Sequence, residues 1–296
     1  MTKSEILQTI ELRQSSIKDY LNCPLMFRFK HIEKIPETSR HSAALHGTAI
    51  HAVIRRMHEE SFEIDLEAAY LQALEEAVSE SDVPVYWKES RERYLANALE
   101  ILENYRNTPL NREVIVLYNE VPFRVKVHGQ IYTGTIDQVR EYLGGIKELV
   151  DFKTYKQKPS SAALKNDIQL SLYQYALKYG ELFHEGRWIK ERMDVDFASI
   201  YFLRSHETYK RNCPGGKIGE QKGSDPLLRS KRTPEDLKVF KKELKHLMNV
   251  MLKDWAFPNT NHCAMCSYVD ICTSRSEKSY AETLSKEERE LIAAIA

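Results

Sequence analysis

No apolar run in this 296-residue sequence approaches the roughly 18 residues that a membrane-spanning helix needs. The opening MTKSEILQTIELRQSS has no apolar stretch of the kind that directs secretion. These absences lead us to expect a soluble intracellular, cytoplasmic protein with no membrane partner. Charge of one sign is also missing, since 43 Lys and Arg balance 43 Asp and Glu. A zero net charge excludes a histone-like binder that works by charge alone; it leaves open an enzyme with a local basic patch and a metal. The G-x-x-x-x-G-K-[ST] phosphate loop is lacking, because GGKIGEQKG does not fit it, so no motor of that type is expected in the chain. Cysteine is sparse and odd in number, five in all. Cys23 and Cys213 stand alone while Cys263, Cys266 and Cys272 crowd together. In an intracellular chain such a cluster reads as metal binding rather than a disulfide framework.

What is present suffices for a core: 42% of residues are hydrophobic and 10% aromatic. Ser15 or Ser16 is placed to cap a short helix, SSIKDYLNCP, which Pro24 interrupts. Helical spacing runs from Ala43 to about Phe62, then over 65–79 and 87–106. From Glu113 to Lys153 the period changes to two, with breaks at His128-Gly129-Gln130 and Leu143-Gly144-Gly145, which predicts an antiparallel meander of at least three strands. A helix over 162–179, a strand over 195–204, an irregular basic stretch over 204–232 and a helix from Thr233-Pro234-Glu235 to about Trp255 follow. This order suits an α/β fold, a mixed β-sheet flanked by helices in one domain over 1–296. Within it we distinguish a helical segment (44–110), a core (111–204), a basic Gly-rich loop (205–232) and a cysteine segment (257–275).

Chemistry concentrates on the strand ELVDFKT. Side chains alternate along a strand, so Leu149, Asp151 and Lys153 share one face while Val150 and Phe152 share the other. A hairpin through Gly144-Gly145 sets Asp137 of GTIDQV beside Asp151, and two adjacent carboxylates invite a hard divalent cation such as Mg²⁺ or Mn²⁺. Lys153 then stands where it could serve a water and stabilise charge on a phosphoryl group. On the helix ALHGTAIHAVIRRMHEE, Gly47 and His51 lie four apart on one face, with His46 and His58 as competing histidines. On QLSLYQYAL, Gln169 and Tyr173 repeat that spacing. Glu120, on the preceding strand, reads as a plain surface or structural acid rather than a ligand of a second metal.

Taken in order, Gly47…His51, Gly134…Asp137, Asp151-Phe152-Lys153 and Gln169…Tyr173 resemble the RecB-like branch of the PD-(D/E)xK nucleases, from about residue 20 to about 272. The resemblance implies a restriction-endonuclease-like core. It implies that His51, Asp137, Asp151 and the Phe152 carbonyl hold Mg²⁺ or Mn²⁺, and that Lys153 serves the nucleophilic water. Gln169 and Tyr173 complete a catalytic set with Asp137, Asp151 and Lys153, positioning substrate or the metal-site groups. Where many relatives carry Glu in the D-x-K element, this chain has Asp, which the family tolerates. Cys23 together with Cys263-x2-Cys266-x5-Cys272 looks like the iron–sulfur staple of the AddB nuclease domain and of CRISPR-associated RecB-like nucleases. That resemblance implies a [4Fe–4S] cluster on those four cysteines, joining the N- and C-terminal segments. A Cys₄ zinc site is the rival, and zinc sites more often pair two C-x2-C knuckles.

The implied activity is metal-dependent hydrolysis of DNA, as an exonuclease on single strands or ends; a non-catalytic, stapled DNA-binding subunit is the alternative. A separate helicase, recombination or CRISPR protein is a conceivable partner. Residues 204–232 hold eight Lys and Arg against three Asp and Glu, and Arg204, Lys210, Arg211, Arg229, Lys231 and Arg232 are candidates to track phosphates. Tyr201, Phe202 and Tyr209 are candidates to stack bases.

Overall fold

The computed structural model describes residues 10, 12–60, 62–155, 160–206, 208–212, 218–222, 225–251 and 258–274. They fall into two units, one formed by 1–40, 124–134 and 236–296, the other by 41–123 and 135–235.

In the first unit, β1 (Leu12–Arg13) leads into α1 (Gln14–Asn22), α2 (Pro24–Phe27) and a π-helical turn over Arg28–Ile32. Ser16 does not cap α1 from outside. It sits inside the first turn, where its hydroxyl accepts from Arg13 N at 2.8 Å and donates to Arg13 O at 2.7 Å. Pro24 ends α1 and opens α2, because a proline at the first helical position gives up only a donor that would be unpaired anyway. β1 pairs in parallel with Tyr132 and Thr133.

In the second unit, β2 (Arg40–His41, which straddles the boundary) precedes α3 (Ser42–Glu59) and α4 (Leu66–Ser79). After β3 (Val85–Tyr86) come α5 (Arg91–Asn107) and α6 (Pro109–Arg112). Ile50, Val53, Ile54 and Met57 recur at helical steps along α3, and all four are fully buried. They pack with Tyr70 and Leu74 of α4, with Ile101 and Tyr105 of α5, and with Val150 and Phe152. Caps fix the starts of the next two helices: Asp65 accepts from Ala68 N at 3.1 Å and Ser90 from Arg93 N at 3.3 Å.

The meander forms as read, with β4 (Ile115–Val127), β5 (Gln130–Glu141) and β6 (Lys147–Lys153), the residues around the β4–β5 turn belonging to the first unit. The predicted helix over 162–179 is two: α7 (Ser161–Lys165) and α8 (Ile168–Tyr179). The break comes from Asp167, whose carboxylate accepts from Leu170 N at 2.8 Å and starts a new helix. β7 (Glu181–His184), β8 (Arg187–Ile189) and β9 (Phe197–Phe202) follow. The stretch expected to be irregular carries three strands, β10 (Thr208–Asn212), β11 (Ile218–Lys222) and β12 (Leu227–Ser230). Their charged and glycine-rich composition hides a β10–β11 antiparallel pair and an edge strand, β12, that pairs antiparallel with β9.

The main sheet runs β12-β9-β6-β5-β4-β7-β8. It is mixed, since β6 and β9 are parallel whereas β5 and β6 are antiparallel. α9 (Pro234–Met251) and α10 (Val269–Ser274) close the described chain. Among the described residues no helix is long and apolar enough to cross a membrane.

Candidate active site

The β5–β6 register pairs Gln138 with Val150, so Asp137 and Asp151 lie one step further along neighbouring strands. Asp137 Oδ2 accepts from Phe152 N at 2.7 Å, which fixes its carboxylate against the backbone of β6. Lys153 reaches back along its own strand face to Asp151 Oδ2 at 2.6 Å. Gln169, on the first turn of α8, bridges the pair: its amide donates to Asp151 Oδ1 at 2.7 Å and to the Tyr173 hydroxyl at 2.8 Å, and its carbonyl accepts from Lys153 Nζ at 3.1 Å. The break at Asp167 sets the phase of that turn.

From the opposite side, α3 presents His51, whose Nδ1 is 3.6 Å from Asp137 Oδ2 and 3.9 Å from Glu120 Oε1. Residue 47 is glycine where the helix passes Thr154: a Cβ there would stand 3.3 Å from its Oγ1, tighter than an ordinary contact. His51, Glu120 and Asp137 each offer a ligand atom, all within 4.8 Å of one another. Glu120 is therefore not a bystander on the surface, which corrects the sequence reading. Val121, Phe123, Val125 and Val127 are buried, so strict alternation would put Glu120 on the outer face. Glu120 instead takes a left-handed backbone with φ of 49°, and the pleat breaks there. Pro122, two residues on, is the one sequence hint that β4 is irregular at this point.

Burial raises the proton affinity of all three acids, and the neighbouring carboxylates raise that of Glu120 and Asp151 further. Burial, less a contribution from Lys153, leaves Asp137 at about 6. Burial also lifts Asp151, to about 7, with Lys153 opposing and Asp137 adding to the rise. Glu120 is pushed up to about 8 by burial and by Asp137. His51 falls to about 4, chiefly through burial, and so offers a neutral imidazole lone pair. Burial works against the charge on Lys153, yet Asp151 and Asp137 hold its pKa above the ordinary value. A divalent cation is the partner that such a set of oxygen donors and one imidazole suits.

These shifts predict a pH dependence in chelator. Without a cation the folded protein keeps protons on Glu120 and Asp151 that the unfolded chain has released, so stability falls as pH rises toward their folded values. Buried His46, His51 and His58, each lowered to about 4, act oppositely, but only below their ordinary 6.5. Between about pH 6.5 and about pH 8.5 the acids alone decide, and Tm in EDTA is expected to drop. Glu120→Gln should flatten much of the drop in thermal melts; a slope unaltered by that substitution would remove Glu120 from the crowded set.

The other predicted groups behave differently. Arg232 is only 8% exposed, and its guanidinium donates to Ser171 Oγ at 2.9 Å, Ser230 Oγ at 2.5 Å and the Leu164 carbonyl at 2.7 Å. It anchors β12 to α7 and α8, and that internal duty replaces the expected phosphate contact. Arg229 donates to Glu148 at 2.8 Å and to the Tyr142 hydroxyl at 3.3 Å. Glu148 is fully buried and also receives Arg140 at 2.9 Å and Ser199 at 2.6 Å, so Arg229 completes the compensation of a buried charge. Lys231 lies over the Phe197 ring at 4.9 Å, and Arg204 approaches Asn97 Oδ1 at 3.5 Å. The side chains of Lys210, Arg211 and Tyr209, and all of Cys213, lie outside the described residues. Tyr201 and Phe202, each 1% exposed, are core residues and not stacking surfaces.

In the first unit Cys23, Cys263, Cys266 and Cys272 are free thiols that line one cavity with Met26, Phe29 and Tyr268. Burial raises the Cys266 thiol, and the other three sulfurs raise it further. Asn259 closes the N-terminal segment onto the C-terminal one, donating from its backbone to Cys23 Sγ at 3.3 Å and from its side chain to Asn22 O at 2.7 Å.

A mixed sheet flanked by helices, with an acid on one strand and an acid and a lysine on the next, is a restriction-endonuclease-like arrangement. The family model for the PD-(D/E)XK nuclease superfamily matches residues 11–273, and the chain belongs to that superfamily; it is a nuclease, and hence a hydrolase. No curated protein matches it. Among solved structures, an inferred exonuclease of Eubacterium rectale aligns over 96% of this chain and 92% of its own at 13% identity, with a TM-score of 0.49. A structure named SSO0001 aligns over 88% and 96% at 14% identity, with a TM-score of 0.30.

Proposed function

We propose that this nuclease is a Mg²⁺- or Mn²⁺-dependent deoxyribonuclease, an exonuclease on single strands or DNA ends. The observation that carries the reading is the convergence of His51, Glu120 and Asp137 within 4.8 Å beside the Asp151–Lys153 pair. The residues that would hold the ion are His51, Asp137, Asp151, the Phe152 carbonyl and Glu120. A divalent ion there supplies neutralisation of the crowded acids and Lewis-acid polarisation of a phosphoryl oxygen. Lys153, held by Asp151 and Gln169, directs its ammonium toward charge that develops on the phosphoryl group and toward an attacking water. Gln169 and Tyr173 act as positioning residues, since one amide holds both the acid and the lysine. The preference for ends rests on the resemblance to RecB-like nucleases.

Both units belong to one nuclease domain in this reading, because the family match runs through each of them. Cys23, Cys263, Cys266 and Cys272 hold a [4Fe–4S] cluster; four free thiols around one cavity lined by Met26, Phe29 and Tyr268 support it. Lys231 and Arg204, with Lys210 and Arg211, remain the basic groups assigned to DNA, and a helicase, recombination or CRISPR protein is the candidate partner. Free thiols suit a cytoplasmic protein.

The test is incubation with single- and double-stranded DNA, each end labelled in turn, in Mg²⁺, Mn²⁺ and EDTA. Stepwise shortening from an end, only with metal, is expected. Internal cuts in a closed circle would replace exonuclease with endonuclease, and no cleavage in either metal would leave a DNA-binding subunit.

A further inference from the structure

Beside the acids lies a cleft of about 370 Å³. Its walls are His58 and Glu59 at the end of α3, Tyr118 and Glu120 on β4, and Phe183 and His184 of β7. Glu120 thus belongs both to the cleft and to the His51–Glu120–Asp137 convergence. The volume falls at the low end of small-molecule sites, about 300–1,000 Å³, which suits one nucleoside and not a duplex.

Two aromatic pairs lie at this region, Tyr118 with His184 and Phe183 with Trp188. Tyr118 stands edge-on to His184, with ring centroids 5.1 Å apart at 84°. Phe183 is 40% exposed and pairs in register across the hairpin with Trp188, at 5.3 Å between centroids. The turn between them is tight, with Glu185 and Gly186 both at positive φ, 49° and 76°. Such a turn matches the twist of a hairpin and fixes the aromatic pair in place without a ligand. Among the described residues the lining holds Glu59, Glu120 and Glu185 and neither Lys nor Arg. The carboxylates of Glu59 and Glu185 can accept hydrogen bonds from base amino groups, whereas Glu120 belongs to the metal-type cluster, where the backbone phosphate fits.

We propose that this cleft is the subsite for the nucleobase next to the scissile phosphate of a single DNA strand, with Phe183 as its stacking surface. The inference rests on the deoxyribonuclease reading and deepens it: a base paired in a duplex has no free face to stack, so the cleft selects unpaired strands.

The experiment measures binding of wild type and Phe183→Ala by fluorescence anisotropy in Ca²⁺, used as a non-hydrolysing substitute. The probes are single strands with one abasic site moved a nucleotide at a time, and a blunt duplex. We expect one position where the abasic site weakens wild type about tenfold, and a similar loss for Phe183→Ala on the intact strand. The two losses should not add at that position, while duplex affinity stays the same. His184→Ala should reproduce the pattern with a smaller loss. Unchanged single-strand affinity in both variants, or losses that add at every position, overturns the subsite. A wild type that cuts DNA yet shows no sensitive position sinks the subsite alone; one that neither binds nor cuts DNA sinks the deoxyribonuclease reading with it.

Discussion

Lys153→Ala is expected to slow cleavage of labelled DNA by about three orders of magnitude, on the order of 4 kcal/mol of transition-state stabilisation. The ammonium is held at 2.6 Å from Asp151 and 3.1 Å from Gln169, so it costs little to align when charge develops on the phosphoryl group. Asp151→Asn should lose as much, since it removes a charge from the ion-binding set and half of the lysine's anchorage. Lys153→Arg is not expected to rescue, because a planar guanidinium does not replace a compact ammonium in a site shared with Gln169. Gln169→Ala should cost less, about tenfold to thirtyfold, because it acts through its neighbours. Circular dichroism controls for folding, since Asp151→Asn leaves the Lys153 ammonium without its 2.6 Å carboxylate partner and is expected to lower Tm without unfolding the protein. Near-normal turnover in folded Lys153→Ala and Asp151→Asn would refute the catalytic assignment.

Cys266→Ser should abolish the brown colour of anaerobically purified protein, remove its iron and lower Tm by more than about 5 °C. The four thiols come from sequence positions near both ends of the chain, so a cluster across them closes a loop of nearly the whole polypeptide. The Asn259 contacts and the Tyr268 hydroxyl, which donates to Ile35 O at 3.0 Å, tie the same segments but are weak by comparison. Iron content that survives the substitution would reassign the ligands. A colourless wild type carrying one zinc per chain would make the staple a Cys₄ zinc site.

Much of the fold was legible. The period-two stretch became β4, β5 and β6 because strand alternation and the Gly144-Gly145 turn are local properties, and Asp137, Asp151 and Lys153 could be placed from them. Three features escaped for separate physical reasons. Glu120 was hidden by a backbone conformation that no side-chain pattern announces. The split between α7 and α8 depends on whether Asp167 bonds to backbone or to solvent, which spacing does not decide. Arg229 and Arg232 looked like a basic surface because composition counts charges without their partners; Glu148, about eighty residues away in sequence, is the partner of Arg229, and Ser171, Ser230 and the Leu164 carbonyl are those of Arg232.

The Phe152 ring belongs to the same buried cluster as Ile50, Val53 and Tyr105, while its amide holds Asp137 and its neighbours in sequence are Asp151 and Lys153. The reactive end of the strand therefore inherits its placement from the oily interior behind it. A genetic screen for inactive protein should recover changes at buried apolar positions of α3 such as Ile50 and Val53 as well as changes to the acids themselves.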